Sequence, residues 1–156
     1  MSSELETWTV TEPFLHINCN LGEGPHYEPA TNTLRFVDII EKALHTVSLS
    51  EGASSLKTLT LPFSIGSTAD IEGVDPSKKI LVGSKSGVGI LDRETGELEL
   101  LKKYYDGEDA IEKAEVLGDG VKEERMRGND GSVDPQGRFW IGTMTDFWVG
   151  DVFDEG

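Results

Sequence analysis

Apolar and polar positions along the 156-residue chain fall into short runs with a period of two, punctuated by Gly, Pro, Asn and Asp. That alternation marks half-buried strands rather than amphipathic helices. Leu5–Val10 is the first β-prone run, with Trp8 and Val10 on one face, and Glu12-Pro13 closes it. Residues 1–13 therefore read as an N-terminal strand and lead-in. Phe14–Asn20 alternates next. Leu21-Gly22-Glu23-Gly24-Pro25 follows, a carboxylate bracketed by glycines that permit close approach. A meander of four short strands comes after it, at His26–Glu28, Leu34–Ile39, Ala43–Leu49 and Leu56–Leu61, with Pro62 as its stop.

The layout repeats. A second pass starts at Asp70 and Ile71–Val74, turns at Asp75-Pro76-Ser77-Lys78, and continues through Lys79–Gly83, Gly87–Asp92 and Leu98–Tyr104. A third starts at Asn129, turns at Asp134-Pro135-Gln136-Gly137 and enters the apolar run Arg138–Gly142. The blade passes cover about 21–62, 70–105 and 129–156. The first-turn prolines Pro29, Pro76 and Pro135 lie 47 and 59 residues apart. The wider gap holds a charged insert, 106–124, with a short helical turn expected at Ala110–Val116. Without the insert, the period is that of one four-stranded propeller blade. A plain antiparallel sandwich is the alternative, but a turn signature repeating in register favours the propeller.

Charge narrows the partners. There are 14 Lys and Arg against 29 Asp and Glu, a formal net charge of −15. Nucleic acid and anionic membranes need a basic surface, so neither is expected as a partner. Cys19 is the only cysteine, which excludes an intrachain disulfide and a thiolate metal cluster. The N-terminus lacks the basic and apolar regions of a signal peptide, and no run is long enough for a membrane span. A cytoplasmic location is the resulting expectation.

Six residues before each first-turn proline stand Glu23, Asp70 and Asn129, all oxygen-bearing. The first strand of a propeller blade lines the central channel, so one such residue per blade predicts a ring of oxygens. Oxygens without sulfur suit a hard cation such as Ca²⁺ or Mg²⁺, or an oxygen-tolerant Zn²⁺ or Mn²⁺.

Two motifs carry a resemblance. Leu21-Gly-Glu-Gly-Pro25, and Arg127-Gly-Asn-Asp-Gly131 with Val133-Asp-Pro-Gln-Gly-Arg-Phe-Trp-Ile-Gly-Thr-Met144, are similar to the gluconolactonase family, which includes senescence marker protein (regucalcin) and luciferin-regenerating enzyme. The resemblance covers about residues 14–146. It implies an all-β, six-bladed β-propeller of the gluconolactonase type, with only about the first three blades here. It implies one divalent cation in the channel, ligated by Glu23, and a sugar lactone or sugar acid held by Arg127 and Asn129. In the family, two further ligands and the general base come from later blades, so the base is assigned to no residue here. The expected function is a metal-dependent sugar-lactone hydrolase, truncated and incomplete on its own. The alternative is a non-catalytic propeller that binds calcium, a small ligand or a partner protein.

Blander readings accompany the site. Glu23 alone would pass for a solvated turn residue, and Arg127 for a surface cation paired with Glu123 or Glu124. Asp130 and Asp134 read as structural, the latter as the start of an Asp-Pro turn. His16, His26 and His45 are scattered and read as core or surface residues, with His26 bordering the pocket. Phe139, Trp140 and Trp148 read as blade packing. Three blades also leave an open edge, inviting self-association unless another polypeptide completes the ring.

Overall fold

The computed structural model describes residues 5–104 and 126–147, and these form an all-β architecture. The first sheet is an antiparallel meander of β1 (Gly22–Glu28), β2 (Thr33–Asp38), β3 (Ala43–Ser48) and β4 (Lys57–Thr60), with a single 3-10 turn at Ala53–Ser55. The second repeats the order with β5 (Ile65–Ala69), β6 (Lys79–Ser84), β7 (Gly87–Asp92) and β8 (Leu98–Lys103). β9 (Met126–Val133) and β10 (Phe139–Thr145) pair as a third. The insert 106–124, Glu123, Glu124 and Trp148 lie outside the described residues.

Alternation explains the packing. Val37 on β2, Leu44 on β3, Ile80 and Val82 on β6 and Leu91 on β7 are all buried, and they join Ile39, Leu61 and Ile65 in one core between the two four-stranded sheets. Fully burying a side chain such as Ile80 contributes about 1.5–3 kcal/mol. The outermost strands are wetter: Leu101 on β8 is 53% exposed. Turns follow local chemistry. Asp134 Oδ1 accepts the backbone N–H groups of Gln136 (3.0 Å) and Arg138 (2.9 Å), while Oδ2 accepts Arg138 Nε (2.6 Å) and Trp140 Nε1 (2.9 Å). These bonds, the indole first, pull the Asp134 pKa down to about 2. Trp140 is otherwise 60% exposed.

Three strand expectations need correction. Leu5–Val10 carries no strand, and Leu5, Trp8 and Val10 are more than four-fifths exposed. A β-prone run without a neighbour to complete its ladder stays extended coil. Phe14–Asn20 is coil as well; a side chain holds its end, the Asp38 carboxylate accepting the backbone N–H groups of Asn20 (2.7 Å) and Leu21 (3.2 Å). The first strand of the second pass is Ile65–Ala69, and Ile71–Val74 is a turn closed by Val74 N–H to Ile71 O at 3.1 Å. The Ile-Gly-Ser-Thr-Ala run lacks the apolar alternation of an ordinary strand, yet Ile65, Gly66, Ser67 and Ala69 are all buried. It is enclosed by β6 on one side and β9 on the other.

Gly66 shows how tight that enclosure is. A Cβ there would lie 2.3 Å from the Asn129 carbonyl oxygen, so the first strands of the second and third sheets meet backbone to backbone. β1 also packs beside β5, Gly24 facing Gly66 O and Ser67 Cα. The first strand of each sheet thus lies beside that of the next, while the later strands fan outward. The described residues contain no helix long and apolar enough to cross a membrane.

Candidate functional site

β1, β5 and β9 border a cleft of about 600 Å³, lined by Glu23 and His26 from β1, Ser67 and Thr68 from β5, and Asp130 and Ser132 from β9. Asp70, one residue past β5, closes its rim. Glu23 owes its position to a bulge. The β1–β2 register shifts between Glu23 and His26, and Gly24 sits at φ 57°, where a side chain would be strained. The glycine-bracketed carboxylate of the sequence is therefore a bulged strand that aims Glu23 into the cleft.

Arg127 and Asn129 occupy alternate positions of β9, so their side chains leave the same face. They touch directly, Arg127 Nη1 donating to Asn129 Oδ1 at 2.9 Å and to Gly128 O at 3.0 Å. Arg127 is 2% exposed, with Nη2 on Met144 Sδ and the guanidinium 4.4 Å from the Phe147 ring centre. Burial lowers its pKa, and the carboxylates of Asp146 and Glu23 oppose that shift. Glu23 and Arg127 therefore act on each other electrostatically, with Glu23 lining the cleft and Arg127 buried close by. Asp146 Oδ1, 3.9 Å from Arg127 Nε, is its partner among the described residues.

Asp70 does not open the first strand of its sheet, as the six-residue count back from Pro76 expects. β5 ends at Ala69, and Asp70 follows it at the rim of the cleft, where its carboxylate is held by side-chain partners. Asp70 Oδ1 accepts Arg35 Nη1 at 2.6 Å, and Oδ2 lies 3.3 Å from His26 Nε2. Burial pushes the Asp70 pKa up, but the hydrogen bond and charge of Arg35, then His26, outweigh it and leave it below the usual value. Asp130, read from the sequence as structural, lines the cleft. Strand alternation could have found it and Ser132 once β9 was taken to start at Met126.

Residues 21–152 match the family model described as the SMP-30/Gluconolactonase/LRE-like region. The chain belongs to that family. It is 34% identical to the cell growth-regulated gene 1 protein of Candida albicans over 83% of this chain and 37% of that protein. It is 32% identical to a putative sugar lactone lactonase of Rhizobium meliloti over 80% of this chain and 35% of that one. The structure superposes on regucalcin of Agrobacterium tumefaciens, solved as a calcium-binding protein, with a TM-score of 0.62, 31% identity, and coverage of 81% and 36%. The chain thus spans a little over a third of the length of these relatives, and its all-β architecture is of the gluconolactonase and regucalcin propeller type.

Such a fold implies a divalent cation, and the donor set of the cleft fits one. Glu23, Asp130, Ser67 and Ser132 offer oxygens, the preference of a hard cation, and among the described residues His26 is the one nitrogen-bearing side chain of the lining. Ser67 Oγ is buried without a hydrogen-bond partner, an unspent polar atom at the cleft wall.

Proposed function

We propose that this chain provides the cation-binding and substrate-holding part of a metal-dependent sugar-lactone hydrolase. Its sheets are read as the first three blades of a six-bladed propeller. The observation that carries the reading is the placement of Glu23 in the cleft, where its charge acts on the buried Arg127, to which Asn129 is hydrogen-bonded. The lactonase named among the relatives supplies the substrate class.

Glu23 holds the ion, which is Ca²⁺ or Zn²⁺, with Mg²⁺ and Mn²⁺ also suited to oxygen ligands. When bound, a divalent cation polarises the lactone carbonyl and lowers the pKa of a water. Arg127, with Nη1 already engaged by Gly128 O and Asn129 Oδ1, is assigned the substrate hydroxyls or ring oxygen and would steady developing negative charge. Asn129, whose Oδ1 already accepts from Arg127, has its amide N–H groups free to orient the sugar. Proton removal from the attacking water is given to no residue of this chain. A soluble, cytoplasmic setting belongs to the same proposal.

The test follows acid release from gluconolactone by the purified chain, with each cation added and then chelated, beside calorimetric titration of the cation. Cation-dependent hydrolysis that falls at least about 100-fold in Glu23→Gln supports the reading. Hydrolysis indifferent to chelator and to Glu23→Gln overturns it. The acidic cleft and the calcium-binding relative favour a second reading, a non-catalytic cation or sugar-acid binder. Cation binding through Glu23 with neither binding nor turnover of gluconolactone selects that one.

A further inference from the structure

A second cluster lies in the first sheet, and none of its members lines the cleft. Cys19, just before β1, Asp38 at the end of β2 and His45 on β3 each bring one ligand atom within 4.8 Å of the others. We propose that these three side chains form a thiolate–carboxylate–imidazole site for a borderline cation of the Zn²⁺ or Co²⁺ class. One cysteine cannot build a thiolate cluster, but a mixed site needs only one.

Two of the ligands are already held in place. Asp38, 2% exposed, accepts backbone N–H groups from Asn20 (2.7 Å), Leu21 (3.2 Å) and Glu41 (3.1 Å). His45, 6% exposed, packs its ring on Phe36 at 4.9 Å and places Nδ1 2.9 Å from Thr58 Oγ1. Nε2 is the nitrogen we assign to the ion, since a metal-bound histidine usually has its second nitrogen held by another partner. Cys19 is half-buried, so an ion can enter and keep solvent at a fourth position. Zinc bonds of about 2.0–2.3 Å need donors roughly 3–4 Å apart, so the cluster has about 1 Å to close. Sulfur and imidazole select this class over Ca²⁺, and the thiolate ligand, which the described cleft lining lacks, separates the two sites.

Binding exchanges the Cys19 thiol proton for the ion: an S–H bond breaks, an S–metal bond forms, and the proton leaves to solvent. The site would join the segment before β1 to β2 and β3, where no backbone ladder ties it down.

The test is titration of the whole chain with Co²⁺ alone, read as thiolate-to-cobalt charge-transfer absorption and competed with Zn²⁺. One equivalent should give the band, and Zn²⁺ should raise the melting temperature. Cys19→Ser should abolish the band, and His45→Gln and Thr58→Val should each weaken binding about tenfold or more. Glu23→Gln should leave the band unchanged, which keeps the result independent of the cleft. Circular dichroism establishes that each variant is folded. No charge-transfer band in the folded chain, or an undiminished affinity in folded His45→Gln, overturns the proposal.

Discussion

Arg35 of β2 and Asp70 at the end of β5 meet across the two four-stranded sheets, Nη1 to Oδ1 at 2.6 Å. Arg35 is fully buried, and its Nη1 also reaches Glu28 Oε1 at 2.7 Å while Nε donates to Thr68 Oγ1 at 2.9 Å. Arg93 completes the group, with Nη1 2.5 Å from Glu28 Oε1 and Nη2 2.7 Å from Thr46 Oγ1. One network thus fastens the first sheet to the second and, through Asp70, sets the rim of the cleft.

Removing one member of a buried ionic group strands the rest without compensation. Arg35→Met should therefore destabilise the chain by about 3 kcal/mol, the lower end of the usual cost because Arg93 still neutralises Glu28. Denaturant midpoints of the variant and the parent measure it. A loss below about 1 kcal/mol would mean the network is not a fastener.

The same network sets an acid limit. Burial raises the Glu28 pKa, but the Thr33 hydroxyl, Arg35 and Arg93 outweigh it and hold it below the ordinary 4.5. Asp70 is likewise held below 3.8. A carboxylate with a depressed folded pKa stabilises fully above its unfolded value and loses that contribution as pH falls through the folded one. Stability should stay level through these groups down to about pH 4.5 and fall below it. Urea unfolding between about pH 7 and pH 3 should show the drop, with a shallower slope in Arg35→Met.

Gly66→Ala should be costly despite adding a single methyl. The new Cβ would lie 2.3 Å from Asn129 O and 2.7 Å from Gly128 O, both rigid backbone. Overpacking of this kind costs about 1–3 kcal/mol and should shift β9 away from β5. Chemical denaturation measures the loss, and cation titration reads whether the cleft has widened.

Core burial offers a reference for these effects. Ile80, 0% exposed between the sheets, should lose about 2–5 kcal/mol as Ile80→Ala. A smaller loss would show that the two sheets do not pack as one core.

Asp130→Asn probes the cleft itself. The change keeps size and strand propensity while removing a carboxylate from the lining. Cation affinity should fall about tenfold by calorimetry, with the denaturant midpoint near the parent's. Equal affinity would place Asp130 outside the coordination shell.

Period-two alternation was enough to find β2, β3, β6 and β7, because each buries apolar residues against one core, and also β8, which packs only Leu98 on it. Repeated Asp-Pro turns gave the order of sheets. The Gly-Glu-Gly-Pro motif and the Arg-Gly-Asn-Asp-Gly motif marked the strands that border the cleft. These features are local, and local chemistry records them. The polar strand β5 left no such record, since its burial comes from β6 and β9 rather than from its own side chains. Misplacing it also misplaced Asp70, whose partner Arg35 is 35 residues away. Asp130 and the Cys19–Asp38–His45 cluster were hidden for the same reason: sequence shows the residue types, but only the bulge at Gly24, the squeeze at Gly66 and the sheet-to-sheet packing decide which of them meet. Strand periodicity and turn chemistry are set within a few residues, whereas a site is fixed by contacts whose partners lie far apart along the chain.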